Sequence, residues 1–289
     1  MKITKAVIPV AGLGTRFLPA SKAIPKEMLT IVDRPTIQYI VEEVVASGID
    51  EIILVTSEGK SAIENHFDYN FELDTVLKAK GKEILREEVS HISNLIDIVS
   101  VRQKKPLGLG HAIWSTRKVV GDCPFVALLG DDLVLSDPPC TQQMLDLFDD
   151  CQESIVAIQR VPLDQTCHYG IVEGEQIRER LVRVEQMFEK PKPGLTDSDL
   201  AIIGRYVLQP EIFEILGGAT PGYGGEIQLT DALLALSRRR PMYAYEFKGT
   251  RYDAGDKLGY LKAIIAFALR HPTVGQEFRK HIKEICGDL

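Results

Sequence analysis

Between Ala11 and Met28 the chain reads AGLGTRFLPASKAIPKEM, directly after the apolar run Ala6-Val7-Ile8-Pro9-Val10. An apolar strand followed by glycines, and then by Arg16, Lys22 and Lys26, constrains fold and chemistry together. Gly12 and Gly14 admit backbone dihedrals closed to other residues and let N–H groups approach an anion, as phosphate-cradling loops require. Two commoner phosphate loops are excluded. A Rossmann turn needs a third glycine where Phe17 stands, and a P-loop needs Gly-Lys-Ser/Thr after four intervening residues. For the glycines taken alone, a plain strand-to-helix turn with solvated cations remains the alternative.

The following elements give this loop an address. Pro35 to Ser47 carries Ile37, Ile40, Val41, Val44 and Val45 at helical spacing and stops at Gly48, and Glu51 to Thr56 reads as a strand. Strand, helix and strand imply a parallel sheet whose ligands bind at the carboxyl ends of its strands. A further strand, Ile96 to Val101, runs into a second glycine-bearing loop, Arg102 to His111, before a helix. The Gln103 amide offers a donor and an acceptor at this edge, and a cap on the following helix is the plain alternative. His111 reads as a helix residue. Pro124 to Leu129 is an apolar run that ends, after Gly130, in Asp131 and Asp132. Buried parallel strands look like this, and acids at their carboxyl end are hard oxygen ligands suited to magnesium.

Lys60 to Glu88 is polar, reads as solvated helix and is assigned no chemistry. From Ser154 the runs shorten: Ile155 to Ile158, Tyr169 to Val172, Val182 to Phe188. Lys257 to Leu269 is an apolar-rich helix, and the tail from His271 is charged and helical. The expected class is α/β: a Rossmann-like, mixed and mostly parallel central sheet with helices on both faces, plus a smaller lobe. One domain over 1–289 is expected, with a first half to about 150, a second half over about 151–265, and a tail over about 266–289.

GLGTRFLP followed by KAIPKEML resembles the nucleotide-sugar pyrophosphorylases, most closely their bacterial-type UTP–glucose-1-phosphate uridylyltransferase branch, and the likeness extends from Lys5 to about Gly259. Ser21 stands where the family usually has threonine, and Thr30 where it has proline. The resemblance implies transfer of a uridylyl group from UTP to glucose 1-phosphate, giving UDP-glucose and pyrophosphate. It implies that Ala11, Gly12, Gly14, Thr15, Arg16 and Lys26 wrap the triphosphate, and that Gln103 and the backbone of Gly108 read the base. Asp131 and Asp253 would hold Mg2+, with Asp132 the weaker candidate. Gly170, Glu189, Lys190, Gly204 and Glu226 would border the sugar, with Lys190 on its phosphate. Arg16, Lys26 and Lys190 thus carry the chemistry. A pyrimidine-nucleotide transferase for another sugar 1-phosphate, and a non-catalytic regulatory relative, remain the alternatives.

Composition narrows the partners. A net charge of -7 disfavours nucleic acid, whose backbone needs a basic surface, so the local cations mark a small anion. No apolar run reaches the roughly 18 residues of a membrane span, and the first apolar stretch fits a buried strand better than an export signal. Five cysteines without metal-like spacing are expected as reduced thiols in a cytoplasmic protein. The charged tail is expected to pack on another subunit of a homo-oligomer, a dimer or tetramer.

Overall fold

The computed structural model describes Lys2–Gly287. Nine strands form its central sheet: β1 (Lys5–Pro9), β2 (Glu51–Thr56), β3 (Asp97–Arg102), β4 (Phe125–Leu128), β6 (Ser154–Arg160), β7 (Gly170–Arg178), β8 (Leu181–Glu189), β9 (Leu200–Leu208) and β10 (Met242–Glu246). Two more, β5 (Asp132–Leu135) and β11 (Thr250–Asp253), pair separately. The spatial order is β3-β2-β1-β4-β9-β6-β10-β8-β7.

The first four strands are parallel throughout, with Val7 opposite both Ile53 and Ala127. β9 then enters antiparallel between β4 and β6, β10 lies parallel to β6, and β8 and β7 close the sheet antiparallel. Seven of the nine strands therefore share one direction, only β8 and β9 running against them, and every antiparallel ladder of the sheet involves the second half of the chain. The expected mixed, mostly parallel sheet is what forms.

Side chains alternate across a strand, so a sheet covered on both faces needs apolar residues at every position. Ile52 and Leu54 enter one core while Ile53 and Val55 enter the other; Val126 and Leu128 are likewise opposed to Phe125 and Ala127. The helix Thr36–Ala46 buries Ile37, Ile40, Val41 and Val44, the three-four spacing of a single face, against the first core. The polar stretch after β2 forms three helices, Ser61–Phe67, Phe71–Ala79 and Glu83–Ser93, and only the first buries side chains, Ile63 and Phe67. Asp256 caps the helix Lys257–Ala268, accepting from the N–H groups of Leu258 at 2.8 Å and Gly259 at 3.2 Å.

Among the buried ion pairs that join the first and second halves of the chain is the one made by Arg205. Arg205 on β9 is 1% exposed and grips Glu43 of the first helix through Nη2 at 2.6 Å and Nε at 3.0 Å. It also donates to the Asp132 carbonyl at 2.7 Å, and Glu43 accepts from the Thr141 hydroxyl at 2.7 Å. Burial alone would push the Glu43 carboxyl up; the Arg205 guanidinium and Thr141 hold it below the ordinary carboxylate range. The five cysteines are free thiols. Among the described residues no helix is long and apolar enough to cross a membrane.

Candidate active site

The loop after β1 is locked by its own side chains. Gly14 has φ +65°, and a Cβ there would lie 3.2 Å from Lys26 Cβ and 3.3 Å from Ser21 Cβ, so glycine is required twice over. The Ser21 hydroxyl donates to the Gly14 carbonyl at 2.7 Å, a bond that the hydroxyl of a threonine also offers. Ser57, just past β2, donates to the Ala11 carbonyl at 3.0 Å. Thr15 and Arg16 begin a short 3-10 turn whose Phe17 is buried edge-on against Tyr260, leaving the Arg16 side chain exposed. Gly12 faces the Lys26 side chain.

Lys26 points inward and its ammonium pairs with Asp131. The neighbouring Glu27 is 1% exposed and takes the Lys60 ammonium at 2.8 Å. Lys60 therefore pins the loop from beneath, although the polar stretch it opens carries no motif. Burial pushes the Glu27 carboxyl above its usual range, with Lys60 and Lys26 opposing the shift.

Three carboxylates meet here and are treated differently. Asp131 lies in the turn after β4; burial pushes its carboxyl up, and the Lys26 ammonium more than offsets this, so it stays ionised well below the usual range. Asp132 begins β5, is 3% exposed, and accepts from Arg251 Nε at 2.6 Å and from the Gly204 N–H at 2.9 Å. Antiparallel pairing of β5 with β11 sets Asp253 opposite Asp132 across the ladder. Asp253 accepts from the Gly255 N–H at 2.9 Å and from Arg251 Nη2 at 3.2 Å. Burial, with Asp132 and Asp131 nearby, holds its carboxyl above the ordinary value despite Arg251.

A Cβ on Gly255 would meet Asp131 Oδ2 at 2.5 Å and Asp253 Oδ1 at 2.9 Å, so the two carboxylates close over a glycine that has room for nothing more. This is an oxygen pair with excess negative charge, the donor chemistry a hard divalent cation takes. Asp132, the third carboxylate here, has both oxygens engaged by Arg251 and Gly204. Among the described residues no cluster of three or more His, Cys, Asp or Glu side chains forms a metal cage.

At the end of β3 the Gln103 amide donates to the Gly108 carbonyl at 3.2 Å and lies 3.0 Å from His111 Nδ1. Gly108 has φ +100°, and a Cβ there would lie 2.7 Å from Glu226 Cβ and 2.8 Å from the Ile227 carbonyl. The Ile227 N–H donates to Leu107 and the Gly110 N–H to Ile227, each at 2.8 Å. The Cβ of Glu226, which the resemblance set on the sugar, packs beside Gly108, because these backbone bonds hold its segment to the Leu107–Gly110 loop.

Of the residues the resemblance set on the sugar, Gly170, Glu189 and Lys190 come together at the β7–β8 pair, where Gly170 lies opposite Glu189. The Thr230 hydroxyl donates to Glu189 Oε2 at 2.6 Å, and a Cβ on Gly170 would approach both groups. Lys190 follows with φ 46°, which costs a non-glycine residue about 1–2 kcal/mol. Its N–H donates to the Tyr169 carbonyl at 3.0 Å, and its ammonium lies 3.6 Å from Glu189 and 5.5 Å from the Tyr223 ring centre. Gly204 gives its N–H to Asp132, and a Cβ there would strike Leu129 at 2.6 Å, so only a glycine allows this close packing of strand and turn. Arg251 was not singled out by sequence reasoning, yet it touches Asp132 and Asp253 and lies 5.5 Å from the Tyr169 ring centre. The sequence offered one signal, an arginine two residues before Asp253.

Residues 5–268 match the family model described as nucleotidyl transferase. A UTP–glucose-1-phosphate uridylyltransferase of Staphylococcus saprophyticus is 51% identical over 285 residues, covering 99% of each chain. A UTP-bound UGPase from Acinetobacter baumannii superposes with a TM-score of 0.91 at 45% identity, covering 98% of this chain and 99% of that one. A UDP-glucose pyrophosphorylase complexed with UDP-glucose gives 0.86 at 42% identity over 93% of this chain and 100% of the other.

Proposed function

The chain belongs to the nucleotidyl transferase family, among its UTP–glucose-1-phosphate uridylyltransferases, and we propose that it makes UDP-glucose and pyrophosphate from UTP and glucose 1-phosphate by direct in-line attack. The observation that carries this reading is the meeting of both halves of the chain at Asp131: Lys26 of the first loop pairs with it, and Gly255 sets Asp253 beside it.

An oxygen of the sugar phosphate forms a bond to the α-phosphorus of UTP while the bond from that phosphorus to the bridging oxygen breaks. The electron pair departs on pyrophosphate. The nucleophile is already an anion, so the protein supplies no covalent group and has to hold two repelling anions in line. Arg16 and Lys26 would hold the triphosphate, and the planar fork of Arg16 suits phosphate better than a point charge. Lys190 would hold the sugar phosphate, and Glu189, fixed by Thr230, would accept from sugar hydroxyls. Asp131 and Asp253 would hold Mg2+, which when bound offsets charge gathering on substrate oxygens. With its N–H groups facing the Gly108 carbonyl and His111, Gln103 has its carbonyl oxygen left to accept the N3–H of uracil.

Pyrophosphate release is the test, measured with Mg2+, each of UTP, dTTP, CTP, ATP and GTP, and a panel of sugar 1-phosphates. Preference for UTP with glucose 1-phosphate, abolished by EDTA, is the expected result. Preference for another pair would keep the chemistry and move the specificity, and silence in every combination would replace the enzyme by a regulatory binder.

A further inference from the structure

We infer that His111 is a positioning residue for base selection: its Nδ1 fixes which end of the Gln103 amide faces the nucleotide. This rests on the reading of Gln103 as the base reader.

The two ends of a glutamine amide have nearly the same shape and opposite hydrogen-bonding character. A free amide in that position would accept from uracil in one orientation and donate to cytosine N3 in the other. Selectivity therefore requires something that forbids the flip. Gln103 is 8% exposed and its backbone N–H is tied to the Thr56 carbonyl at 2.8 Å, so its side chain starts from a fixed point. Its amide nitrogen meets two groups, the Gly108 carbonyl at 3.2 Å and His111 Nδ1 at 3.0 Å. A carbonyl only accepts. An amide NH2 has no acceptor to give, so Nδ1 must be the unprotonated ring nitrogen, with the proton on Nε2.

Two acceptors side by side demand the NH2 group and repel the carbonyl. The Gln103 oxygen is thereby turned outward. A uracil edge presents N3–H between two carbonyls, whereas cytosine presents a bare N3, so an outward oxygen pairs with the first and repels the second. The environment keeps His111 an acceptor: partial burial, and then the Arg117 guanidinium, hold its imidazole below the usual value. Arg117 itself is stacked 3.6 Å from the Trp114 ring centre on the same side of the helix as His111. The helix Leu109–Ser115 that carries His111 is seated by Gly110, where a Cβ would strike the Ile227 carbonyl at 2.8 Å, so the backbone that carries the ring is held close to its neighbour.

The test compares His111→Leu, which removes the acceptor, with His111→Asn, whose side-chain oxygen can replace Nδ1. For each, kcat/KM is measured with UTP and with CTP, KM with glucose 1-phosphate, and Tm alongside. Loss of one hydrogen bond and of the orientation it enforces corresponds to about a tenfold change. His111→Leu should lower the UTP to CTP preference about tenfold, raise KM for UTP, leave KM for glucose 1-phosphate unchanged, and be rescued by His111→Asn. An unchanged UTP to CTP ratio in His111→Leu, or equal damage to both substrates, would overturn the inference. If the unmodified protein itself shows no UTP preference, the reading of the function fails instead, so the two failures are told apart.

Discussion

The two sides of the site are built on different principles. On the proposed nucleotide side, contiguous loops follow parallel strands: Ala11 to Met28 after β1, Gln103 to Gly108 after β3, Asp131 after β4. On the proposed sugar side and at its border, groups are held by partners far away in the chain: Glu189 by Thr230, and Asp132 by Arg251. A parallel sheet delivers strand ends to one edge, so function there sits in short runs. The antiparallel half has no such common edge and depends on cross-strand contacts. The first kind of site should tolerate damage to the second better than the reverse, because Asp131 belongs to both.

The largest effect should come from cutting the seam itself. Arg205→Ala would leave Glu43 buried and unpaired, at about 3–5 kcal/mol of stability, read as a drop in Tm and in the denaturant midpoint. Retention of stability would mean that the halves do not depend on this pair. Asp131→Asn should cost about 10²–10³-fold in kcat and shift the Mg2+ concentration needed for half-maximal rate; unchanged turnover at limiting Mg2+ would remove Asp131 from a metal site. Lys190→Ala should raise KM for glucose 1-phosphate about tenfold or more, as loss of one charge-assisted bond implies, while KM for UTP stays put. A normal response to the sugar phosphate would sink that role. The smallest effect concerns pH. Burial holds the His66 imidazole below its usual value beside Gln38, 3.0 Å away. The unfolded chain takes up that proton first, so the contribution is intact above about pH 6.5 and is lost as pH falls through the lowered folded value. Tm should fall between pH 7 and 5, and less steeply in His66→Gln.

The same contrast governs what the sequence revealed. Lys26, Gln103 and Asp131 stand in loops that directly follow an apolar strand, an order that states their place at the carboxyl edge of the sheet. Arg205 and Glu43 are 162 residues apart, Arg251 and Asp132 119, Lys60 and Glu27 33, and no local pattern marks such pairs. Asp131 and Asp132 read alike as neighbours at the end of one apolar run. They part only because Asp132 starts a new strand and turns into the grip of Arg251. That backbone pairing packs the Glu226 segment on the Gly108 loop, and that Asp132 takes the Gly204 N–H, is equally invisible to local pattern. His111 lies eight residues from Gln103. Its role was hidden because a helix histidine and a loop glutamine were weighed separately.

Division of labour between the two sides is tested most directly by titrating UTP, with Mg2+, into the unmodified protein, Lys190→Ala and Gln103→Ala in a calorimeter. Lys190→Ala should bind UTP with the same Kd as the unmodified protein, and Gln103→Ala about tenfold more weakly. If Lys190→Ala loses UTP as badly as Gln103→Ala does, the two sides form one undivided site and the account is wrong.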